Sequence, residues 1–437
     1  MKVQTLKGFR DYSPEEMLVR QALIGRVQKV FESFGYAPLH TPALEYAQLL
    51  LGNYGDEGEK LLYKFQDHGK RMVALRYDLT VPLARYVGMN SSMRFPFRRY
   101  QIAPVWRAER PQKGRFREFY QCDVDLVGID SAQADAECIL VDHAVMQALE
   151  IEGYRIMINH RGFLDGLLEH LAIPTDKVVG AMRILDKVDK VSAAAMGEML
   201  TTEGLTEAQV DGLTGLSAID GPNEDRIAQA LELAGNHPKA AAGLERLSQA
   251  LEMVEATAGK APVFFAPAIA RGLDYYTGIV YETFLPDRYG VGSVMSGGRY
   301  NELLGTFAGK DIPAVGISLG IDRLLSALAA AGEQESITVS DILVATIKGA
   351  ETGACKVAGI LRNGLAKRGT GIELFPRPQK LKKQMDYAHK KGISIVVLPG
   401  PEELEEGKVT VRHMGTGEQI KVSLEDLVAQ VERLLEG

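Results

Sequence analysis

The sequence has few cysteines and no long apolar run, which argues against a disulfide-rich protein and against a membrane protein. The 437 residues include three cysteines, Cys122, Cys138 and Cys355, which are odd in number and far apart. This spacing argues against a disulfide framework and against a zinc site, and it fits a reducing compartment. No run approaches the ~20 apolar residues of a membrane span, and the first residues lack the apolar core of a signal peptide. We therefore expect a cytoplasmic chain with no membrane partner.

The chain is acidic overall but contains a strongly basic stretch. Its formal net charge is -7. Between residues 94 and 117, eight basic side chains stand against one acid, Glu109, so the local charge is +7. Such an island must have an anionic partner or be neutralised within the protein. The β-like runs 100–107 and 116–127 flank a polar turn, so the sequence predicts a hairpin that carries these cations.

Hydrophobic periodicity predicts an α+β fold with a helical insertion. Ser13 and Glu16 stand at capping-box positions at the start of a helix over 13–34. A second helix is predicted near 131–150 with Ser131 at its start. Residues from about 165 to 258 have helical periods and no convincing strand. A β-rich segment then returns at 262–300 and leads into a glycine-rich passage from strand to helix.

The last hundred residues predict a separate α/β domain. The small, polar stretch at 331–340 is typical of a linker, and residues 341–437 alternate strands with helices. We therefore expect a mainly antiparallel catalytic body over 1–330, interrupted by a helical insertion at about 165–258. The linker then connects this body to the C-terminal domain.

Three segments contain residue types suited to chemistry. Arginine binds phosphate through a rigid fork of nitrogen donors, so several arginines on the hairpin suit a polyphosphate or a nucleic-acid backbone. The alternative for this segment is a solvated basic edge strand. RGLDYYTGIVYE (271–282) sets a cation and two phenols beside glycines, or it is a strand with aromatic core residues. LRYDLTVPLARYV (75–87) places Asp78 and Thr80 on one face if it is extended. A helix cap or turn is the alternative for that pair.

Together these segments resemble the histidyl-tRNA synthetase family of the class II aminoacyl-tRNA synthetases. KGFRDYSPEE and YAPLHTPALE are similar to the N-terminus and first class motif, which forms a dimer interface in the family. RAERPQKGRFREFYQ resembles the second class motif and GISLGIDRL the third. RGLDYYTG and GGRY resemble the two histidine-specific signatures. The resemblance extends over essentially the whole chain, including LDKVDKV in the insertion and an anticodon-binding C-terminal domain.

The resemblance implies a two-step reaction on a class II antiparallel sheet. L-histidine and ATP would form histidyl-adenylate and pyrophosphate, and histidine would then pass to the 3′ end of tRNA(His). ATP is a substrate, and Mg²⁺ would accompany it rather than bind to a cluster of protein ligands. The chemistry needs no protein nucleophile, because the substrate carboxylate attacks while cations hold two anions in line. A homodimer is also implied.

The resemblance assigns four residues to ATP. Arg107 would hold the α-phosphate, and Glu109 would lie near the adenine amino group. Phe119 would stack on one face of adenine. Arg323 would cover the other face and reach the γ-phosphate.

The resemblance also assigns the histidine site. The implied histidine-binding residues are Asp78, Thr80, Gln121, Asp125, Arg271, Tyr275 and Tyr276. Asp78 and Thr80 would take the α-ammonium, with Gln121 nearby. Asp125 and Tyr276 would read the imidazole, and Arg271 would lie between the carboxylate and the α-phosphate. Arg107, Arg271 and Gln121 are the implied catalytic residues.

Two basic regions are candidates for tRNA binding. We expect the hairpin turn to meet the acceptor end, where an extra 5′ guanosine is the implied determinant, through Arg110, Gln112, Lys113 and Arg115. Residues 356–391 contain ten basic side chains and two acids, a local charge of +8. Lys382 and Lys383 in this region are the candidates for the anticodon end, and phosphate contacts would make binding salt-dependent. The alternative is a solvated pair of helices.

The sequence departs from the common bacterial pattern in two places. RYDLT (76–80) has an aspartate where many bacterial members have a glutamate, and Asn301 follows GGRY where aspartate is usual. The competing interpretation is a histidine-binding regulatory paralogue of ATP phosphoribosyltransferase. That paralogue typically lacks the C-terminal domain and the catalytic arginines, whereas this chain has Arg107, Arg271 and Arg323.

Overall fold

The computed structural model describes residues 3–52, 55–111, 114–186, 191–270, 276–331 and 338–436. The chain forms two compact units. Met1–Asp11 and Ala22–Glu333 form the first, and Tyr12–Gln21 and Gln334–Gly437 form the second.

An eight-stranded sheet and a three-stranded sheet organise the first unit. Its strands are β1 (Ala37–Pro38), β2 (Leu44–Tyr46), β3 (Lys64–Gln66), β4 (Met72–Leu75), β5 (Phe97–Trp106), β6 (Glu118–Val127), β7 (Arg155–His160), β8 (Val263–Phe265), β9 (Ile279–Phe284), β10 (Met295–Arg299) and β11 (Ala314–Gly320). The large sheet has the order β1-β5-β6-β11-β10-β9-β7-β8, and the small sheet has the order β2-β4-β3. In the large sheet the outer pairs β1–β5 and β7–β8 are parallel and the inner pairs antiparallel. The mainly antiparallel α+β prediction is therefore confirmed.

Helices precede, flank and interrupt this sheet. They are α1 (Pro14–Ser33), α2 (Ala47–Leu50), α3 (Gly55–Lys60), α4 (Thr80–Met89), α5 (Ala132–Ala148), α6 (Arg161–His170), α7 (Thr175–Leu185), α8 (Ala193–Thr202), α9 (Glu207–Thr214), α10 (Asn223–Leu233), α11 (Pro238–Ala258), α12 (Asn301–Ala308) and α13 (Ile321–Ala331). Among the residues described between 161 and 258 no strand occurs, as the periodicity predicts. The short helices α2 and α3 and the helix α12 were not predicted.

Local capping explains where two of these helices begin. At α1 the Ser13 hydroxyl accepts from the Glu16 N–H, while the Glu16 carboxylate accepts from the Ser13 N–H. This reciprocal pair is the predicted capping box, and it satisfies two backbone donors that a helix start otherwise leaves unpaired. At α5 the Ser131 hydroxyl accepts from the Ala134 N–H. Both predicted helix starts are confirmed.

The second unit contains a five-stranded sheet packed with helices. Its elements are β12 (Ile342–Val344), α14 (Glu351–Gly364), β13 (Ile372–Leu374), α15 (Leu381–Lys391), β14 (Ile395–Leu398), α16 (Pro401–Glu405), β15 (Lys408–His413), β16 (Gln419–Ser423) and α17 (Leu427–Glu436). β13, β12 and β14 are parallel, and β15 and β16 extend the sheet antiparallel. The α/β prediction for this region is confirmed, although β16 and α16 were not foreseen. Within the described ranges, no helix combines the length and apolar character needed to cross a membrane.

Candidate active site

The long antiparallel pair β5–β6 supports the candidate site. Phe97 to Trp106 pair with Val127 to Glu118 without interruption. Side chains alternate between the faces of a strand, so Phe119, Gln121, Asp123 and Asp125 lie on one face of β6. This register brings an aromatic ring, an amide and two carboxylates into one row. The predicted hairpin is confirmed, with strand boundaries a few residues from those expected.

One end of this row opens into a cavity of about 200 Å³. The cavity is lined by Arg107, Glu109, Gly114, Arg115, Phe116, Phe119, Gln121, Ser293, Val294, Ser296, Ser318, Gly320, Asp322 and Arg323. These residues come from β6, β10, β11, the β5–β6 loop and the first turn of α13. The cavity therefore unites side chains that the sequence assigned separately to the second and third class motifs.

Arg107 lies between two aromatic rings at the end of β5. Its guanidinium carbon is 4.2 Å from the centre of the Tyr77 ring and 5.1 Å from that of Phe119. Its Nε donates to the Tyr77 carbonyl at 3.1 Å. One nitrogen thus holds the side chain while the cationic fork remains at the cavity, an arrangement suited to phosphate.

The start of α13 forms the opposite wall. Asp322 is buried and accepts from the Tyr120 N–H at 2.7 Å, and it forms an ion pair with Arg10 at 3.4 Å. Arg10 also lies over the Phe116 ring, 4.2 Å from its centre. The adjacent Arg323 donates to the Ser293 carbonyl through Nη1. The N-terminal segment, the β5–β6 loop and α13 are thereby tied together around the cavity.

The loop between β5 and β6 carries the remaining charges of this end. Glu109 and Arg115 line the cavity and lie 3.7 Å apart, a long and weak ion pair. Arg110 is exposed on the same loop and does not line the cavity. Gln112 and Lys113, the other two residues expected to contact tRNA here, lie outside the described residues.

At the other end of the row, Asp125 is buried against a cation. Arg99 is its cross-strand neighbour on β5 and lies fully buried, with Nη2 2.6 Å from Asp125 Oδ2. Tyr300 donates its hydroxyl to Oδ1. Burial raises the pKa of Asp125, whereas Arg99 and the Tyr300 hydrogen bond lower it.

Glycine at position 316 makes room for this carboxylate. Gly316 on β11 is the other cross-strand neighbour of Asp125. A Cβ there would lie 2.0 Å from Asp125 Oδ1, closer than atoms can approach. The glycine-rich β11 strand therefore leaves space above β6 for buried polar groups.

Asp123 is a buried carboxylate that the sequence analysis missed. Burial raises its pKa to about 7, and Asp125 and Asp78 add to that rise, while Arg99 and a hydrogen bond with Ser318 oppose it. Its Oδ1 has no hydrogen-bond partner among the described residues. Strict alternation along β6 would have found it, because Asp123 lies two residues from both Gln121 and Asp125.

Asp78 and Thr80 do not lie on an extended strand. β4 ends at Leu75 and α4 begins at Thr80. Asp78 Oδ1 accepts from the backbone N–H groups of Thr80 and Val81 at 3.2 and 3.1 Å. The extended interpretation is therefore wrong and the helix-cap alternative is confirmed. The charge of Asp78 adds to the rise in the pKa of Asp123.

Gln121 is held by one end of its amide. Nε2 donates to the Ser318 hydroxyl at 2.8 Å, and the buried Oε1 has no partner among the described residues. A ligand that presents N–H donors would satisfy this oxygen and Oδ1 of Asp123. Buried acceptors without partners are costly, so such a row favours a ligand rich in donors.

The histidine-specific signatures are described in part. Arg271 and Tyr275 lie outside the described residues. Tyr276 packs close to Gly298, where a Cβ would come within 2.9 Å of the tyrosine ring. It is also near enough to Tyr300 to influence its ionisation. Asn301 has a structural role, because its side-chain oxygen accepts from Arg299 and from the Ala314 N–H.

Lys382 and Lys383 are exposed on the first turn of α15 in the second unit. Two other basic side chains of the region 356–391 form ion pairs within the protein. Lys391 pairs with Glu373 at 2.6 Å and Arg368 with Glu436 at 2.9 Å. The two lysines thus remain candidates for contact with an external anion.

Comparisons with known proteins agree over the whole chain. The family model described as histidyl-tRNA synthetase matches residues 8–324, and that described as anticodon binding domain matches residues 341–434. The histidine–tRNA ligase of Rhodopirellula baltica is 42% identical over 426 residues, covering 96% of this chain and 95% of that protein. The histidine–tRNA ligase of Helicobacter hepaticus is 41% identical over 424 residues, covering 95% of each.

A solved structure supports the same assignment. The crystal structure of histidyl-tRNA synthetase from Nostoc sp. PCC 7120 has a TM-score of 0.87 and 31% identity, and the match covers 99% of both chains. A cavity lined by arginines, a row of buried acceptors and matches of this extent converge on one conclusion. The chain belongs to the histidyl-tRNA synthetase family.

Proposed function

We propose that this chain is a histidine–tRNA ligase that works in two steps. In the first step a carboxylate oxygen of L-histidine attacks the α-phosphorus of ATP, and pyrophosphate leaves with the electron pair of the broken P–O bond. In the second step a 3′-terminal hydroxyl of tRNA(His) attacks the carbonyl carbon of the adenylate, and AMP leaves. The first step brings two anions together, so fixed cations must offset their repulsion.

The observation that carries this proposal is the single row of side chains on β6. Phe119 and Gln121 line a cavity with arginines on its rim, and two buried carboxylates, Asp123 and Asp125, continue the row. A planar base and phosphates suit the first half of the row. A small ligand with an ammonium and a ring N–H suits the second half. An amino acid activated with ATP requires both halves side by side.

At the nucleotide end we assign four residues. Arg107 holds the α-phosphate, with Arg323 across the cavity reaching the γ-phosphate and one adenine face. Phe119 stacks on the other face, and Glu109 lies near the adenine amino group. Support comes from the lining of the cavity by all four side chains.

At the amino-acid end we assign the α-ammonium to Asp78 and Thr80, with Gln121 beside them, and the imidazole to Asp125 and Tyr276. Arg271 would bridge the carboxylate and the α-phosphate, with Tyr275 in the same signature. A pocket of buried acceptors rejects side chains that leave them unpaired, by ~10⁴-fold in favourable cases. Selection of histidine at binding is therefore sufficient without an editing site.

Mg²⁺ accompanies ATP in this proposal. Magnesium keeps several waters and is bound by phosphates with one or two carboxylates. Among the described residues no group of three or more histidine, cysteine, aspartate or glutamate side chains could hold a metal ion, so the phosphates of ATP and water would supply its ligands. When bound, the ion would offset charge that develops on the phosphates, while Arg107 and Arg323 orient them.

We assign tRNA contacts to the two basic regions. Arg110, Gln112, Lys113 and Arg115 of the β5–β6 loop would meet the acceptor end. Lys382 and Lys383 would meet the anticodon, and their exposure supports that role. The corresponding domains would be a catalytic domain at 1–330 with an insertion at about 165–258, a linker at 331–340 and an anticodon-binding domain at 341–437.

We further propose a cytoplasmic homodimer. Leu44, Tyr46 and Phe65 lie on one face of the small sheet and are each 45% to 49% exposed. An exposed apolar face of this kind is typical of an interaction surface. Leu44 lies within the segment that resembles the first class motif and Tyr46 follows it, which makes a second copy of the chain the natural occupant.

The test is histidine-dependent ATP–pyrophosphate exchange, followed in the same sample by charging of tRNA(His). Exchange with histidine alone among the amino acids, followed by charging, is the expected result. Arg271→Ala should then abolish exchange. Binding of histidine without exchange would contradict the ligase proposal and favour a histidine-sensing regulatory protein.

A further inference from the structure

We propose that Ser318 and Asp123 are positioning residues that set the orientation of the Gln121 amide toward the amino-acid site. The inference rests on the proposed function, because it concerns how that site receives the α-ammonium of histidine. Asp123 lies on β6 and Ser318 on β11, the two neighbouring strands that support the site.

The two ends of the Gln121 amide have different partners. A primary amide has a donor end and an acceptor end, and a binding site needs one of them in a defined place. In Gln121 the donor end is used: Nε2 donates to the Ser318 hydroxyl at 2.8 Å. The acceptor end, Oε1, is buried without a partner among the described residues. Anchoring Nε2 to β11 therefore directs the oxygen to the ligand, where it can accept from an ammonium.

The Ser318 hydroxyl accepts from the Gln121 amide rather than donating to it, because its hydrogen has another acceptor. A hydroxyl has one hydrogen, and it can hold the amide in this orientation only if that hydrogen is used elsewhere. Ser318 is the direct cross-strand neighbour of Asp123. This pairing places the serine hydroxyl beside the carboxylate, and the interaction of Ser318 with Asp123 lowers the pKa that burial raises. Asp123 thus takes the serine hydrogen and leaves the serine oxygen to receive Gln121.

Cations and anions both surround Asp123. Arg99 on β5 and Arg76 before α4 face it as cations, and Asp125 and Asp78 face it as anions. Arg99 lowers the pKa of Asp123 and so favours its ionised form. Above about pH 7 the ionised carboxylate keeps the chain of hydrogen bonds running from Gln121 through Ser318 to Asp123. A protonated Asp123 would donate to Ser318 instead. The serine hydrogen would then compete for Gln121 Oε1 and reverse the amide.

The test measures histidine and ATP separately in pyrophosphate exchange. Ser318→Ala removes the anchor and should raise the KM for histidine about tenfold, the scale of one oriented hydrogen bond, while the KM for ATP changes less than twofold. Ser318→Thr keeps the hydroxyl and should restore the wild-type KM for histidine. Asp123→Asn keeps the shape but can donate to Ser318, and it should raise the KM for histidine in the same way.

A double-mutant cycle separates positioning from general damage. In a Gln121→Ala background, Ser318→Ala should have no further effect on the KM for histidine, because the residue acts through the missing amide. Ser326→Ala is the matched control: its hydroxyl donates to the Asp322 carbonyl within α13, and the change should leave both KM values unaltered. Equal, additive losses in the two backgrounds would overturn the proposal.

Calorimetric titration of histidine without ATP gives a second readout. Wild-type protein should bind histidine, and Ser318→Ala and Asp123→Asn should bind it about tenfold more weakly. If the wild type activates histidine but both variants match the Ser326→Ala control, the positioning role is wrong and the proposed function stands. If the wild type neither binds nor activates histidine, the proposed function fails and the positioning role fails with it.

Discussion

The two ends of the β5–β6 hairpin use the same residue type for opposite purposes. At the open end, Arg107 keeps its guanidinium at a cavity between two aromatic rings. At the closed end, Arg99 is fully buried and paired with Asp125, and its neighbour Arg98 pairs with Glu137 at 2.8 Å. One basic stretch thus contains both cations available to a ligand and cations already neutralised.

The difference shows what a local charge count means. At the open end, no carboxylate among the described residues forms an ion pair with Arg107, so this cation remains available to a ligand. A cation at the closed end contributes to the shape and ionisation of a buried acidic pocket. Which outcome applies depends on the strand opposite, since β6 offers Phe119 at one end and Asp125 at the other.

The largest effect should follow from breaking the closed end. Arg99→Met leaves Asp125 buried without its cation and should lower the free energy of unfolding by about 3–5 kcal/mol. Arg99→Met combined with Asp125→Asn removes both charges and should recover most of this loss, while histidine activation remains absent. Urea unfolding and pyrophosphate exchange together check this. A single variant as stable as wild type would show that the pair does not hold the pocket.

At the open end, removal of an arginine should lower the rate of the reaction rather than the stability of the fold. Arg107→Ala should reduce kcat/KM in pyrophosphate exchange by about 10²–10³-fold, the effect of losing one group that stabilises developing charge. The midpoint of thermal unfolding should change little. Arg110→Ala, on the same loop but outside the cavity lining, is the matched control and should preserve exchange while weakening tRNA charging. Similar losses of exchange in both variants would remove the distinction between them.

Asp142 allows a comparison with Asp125, because it is a buried carboxylate whose pKa is not lowered by an arginine. Asp142 on α5 is buried, and its pKa is raised to about 7 by burial, with only the Thr283 hydrogen bond opposing the rise. The unfolded chain ionises near pH 4, so folding becomes less favourable as the pH rises from about 4 to about 7. The full penalty then applies above about pH 7. Asp142→Asn removes this penalty.

The variant should therefore be more stable than wild type at pH 8, on the order of 4 kcal/mol for a shift of about three pKa units, and little changed at pH 4.5. Urea unfolding at the two pH values measures this difference, and exchange activity should not change. A gain of the same size at both pH values would show that ionisation of Asp142 is not its cause.

The smallest effect concerns the second basic region. Lys382→Ala with Lys383→Ala should weaken tRNA binding several-fold and reduce the slope of log affinity against log salt by about one to two. Pyrophosphate exchange, which needs no tRNA, should be unchanged. Lys408→Ala with Lys421→Ala removes the same charge from β15 and β16 and serves as the control. If the two double variants behave alike, net charge rather than a defined contact governs binding.

Much of the architecture follows from local sequence patterns. Ser13, Glu16 and Ser131 predicted two helix starts because capping depends on residues three positions apart. The helical insertion and the alternating C-terminal region were predicted from periods that span many residues. Short elements such as α16 and β16 were missed, since five residues carry too little periodic signal.

The nucleotide end of the site was also accessible from sequence, since its residues stand in contiguous motifs of arginines and an aromatic. The amino-acid end was less accessible. Asp78 was expected on an extended segment but caps α4. Asp123 was not predicted as a site residue, although it lies between Gln121 and Asp125 on the same face of β6. Ser318 and Gly316 had no local signal, because their significance comes from lying opposite Asp123 and Asp125.

Sequence alone thus established the class of fold, the family resemblance and the residue types of the reaction, because these depend on short-range patterns and on motifs in order along the chain. The pairing of strands distant in sequence established the rest. It buried Arg99 against Asp125 but kept Arg107 at a cavity, and it placed Ser318 between Gln121 and Asp123. Charge, burial and hydrogen-bond direction belong to neighbours in space, and β5, β6 and β11 become neighbours only when the sheet forms.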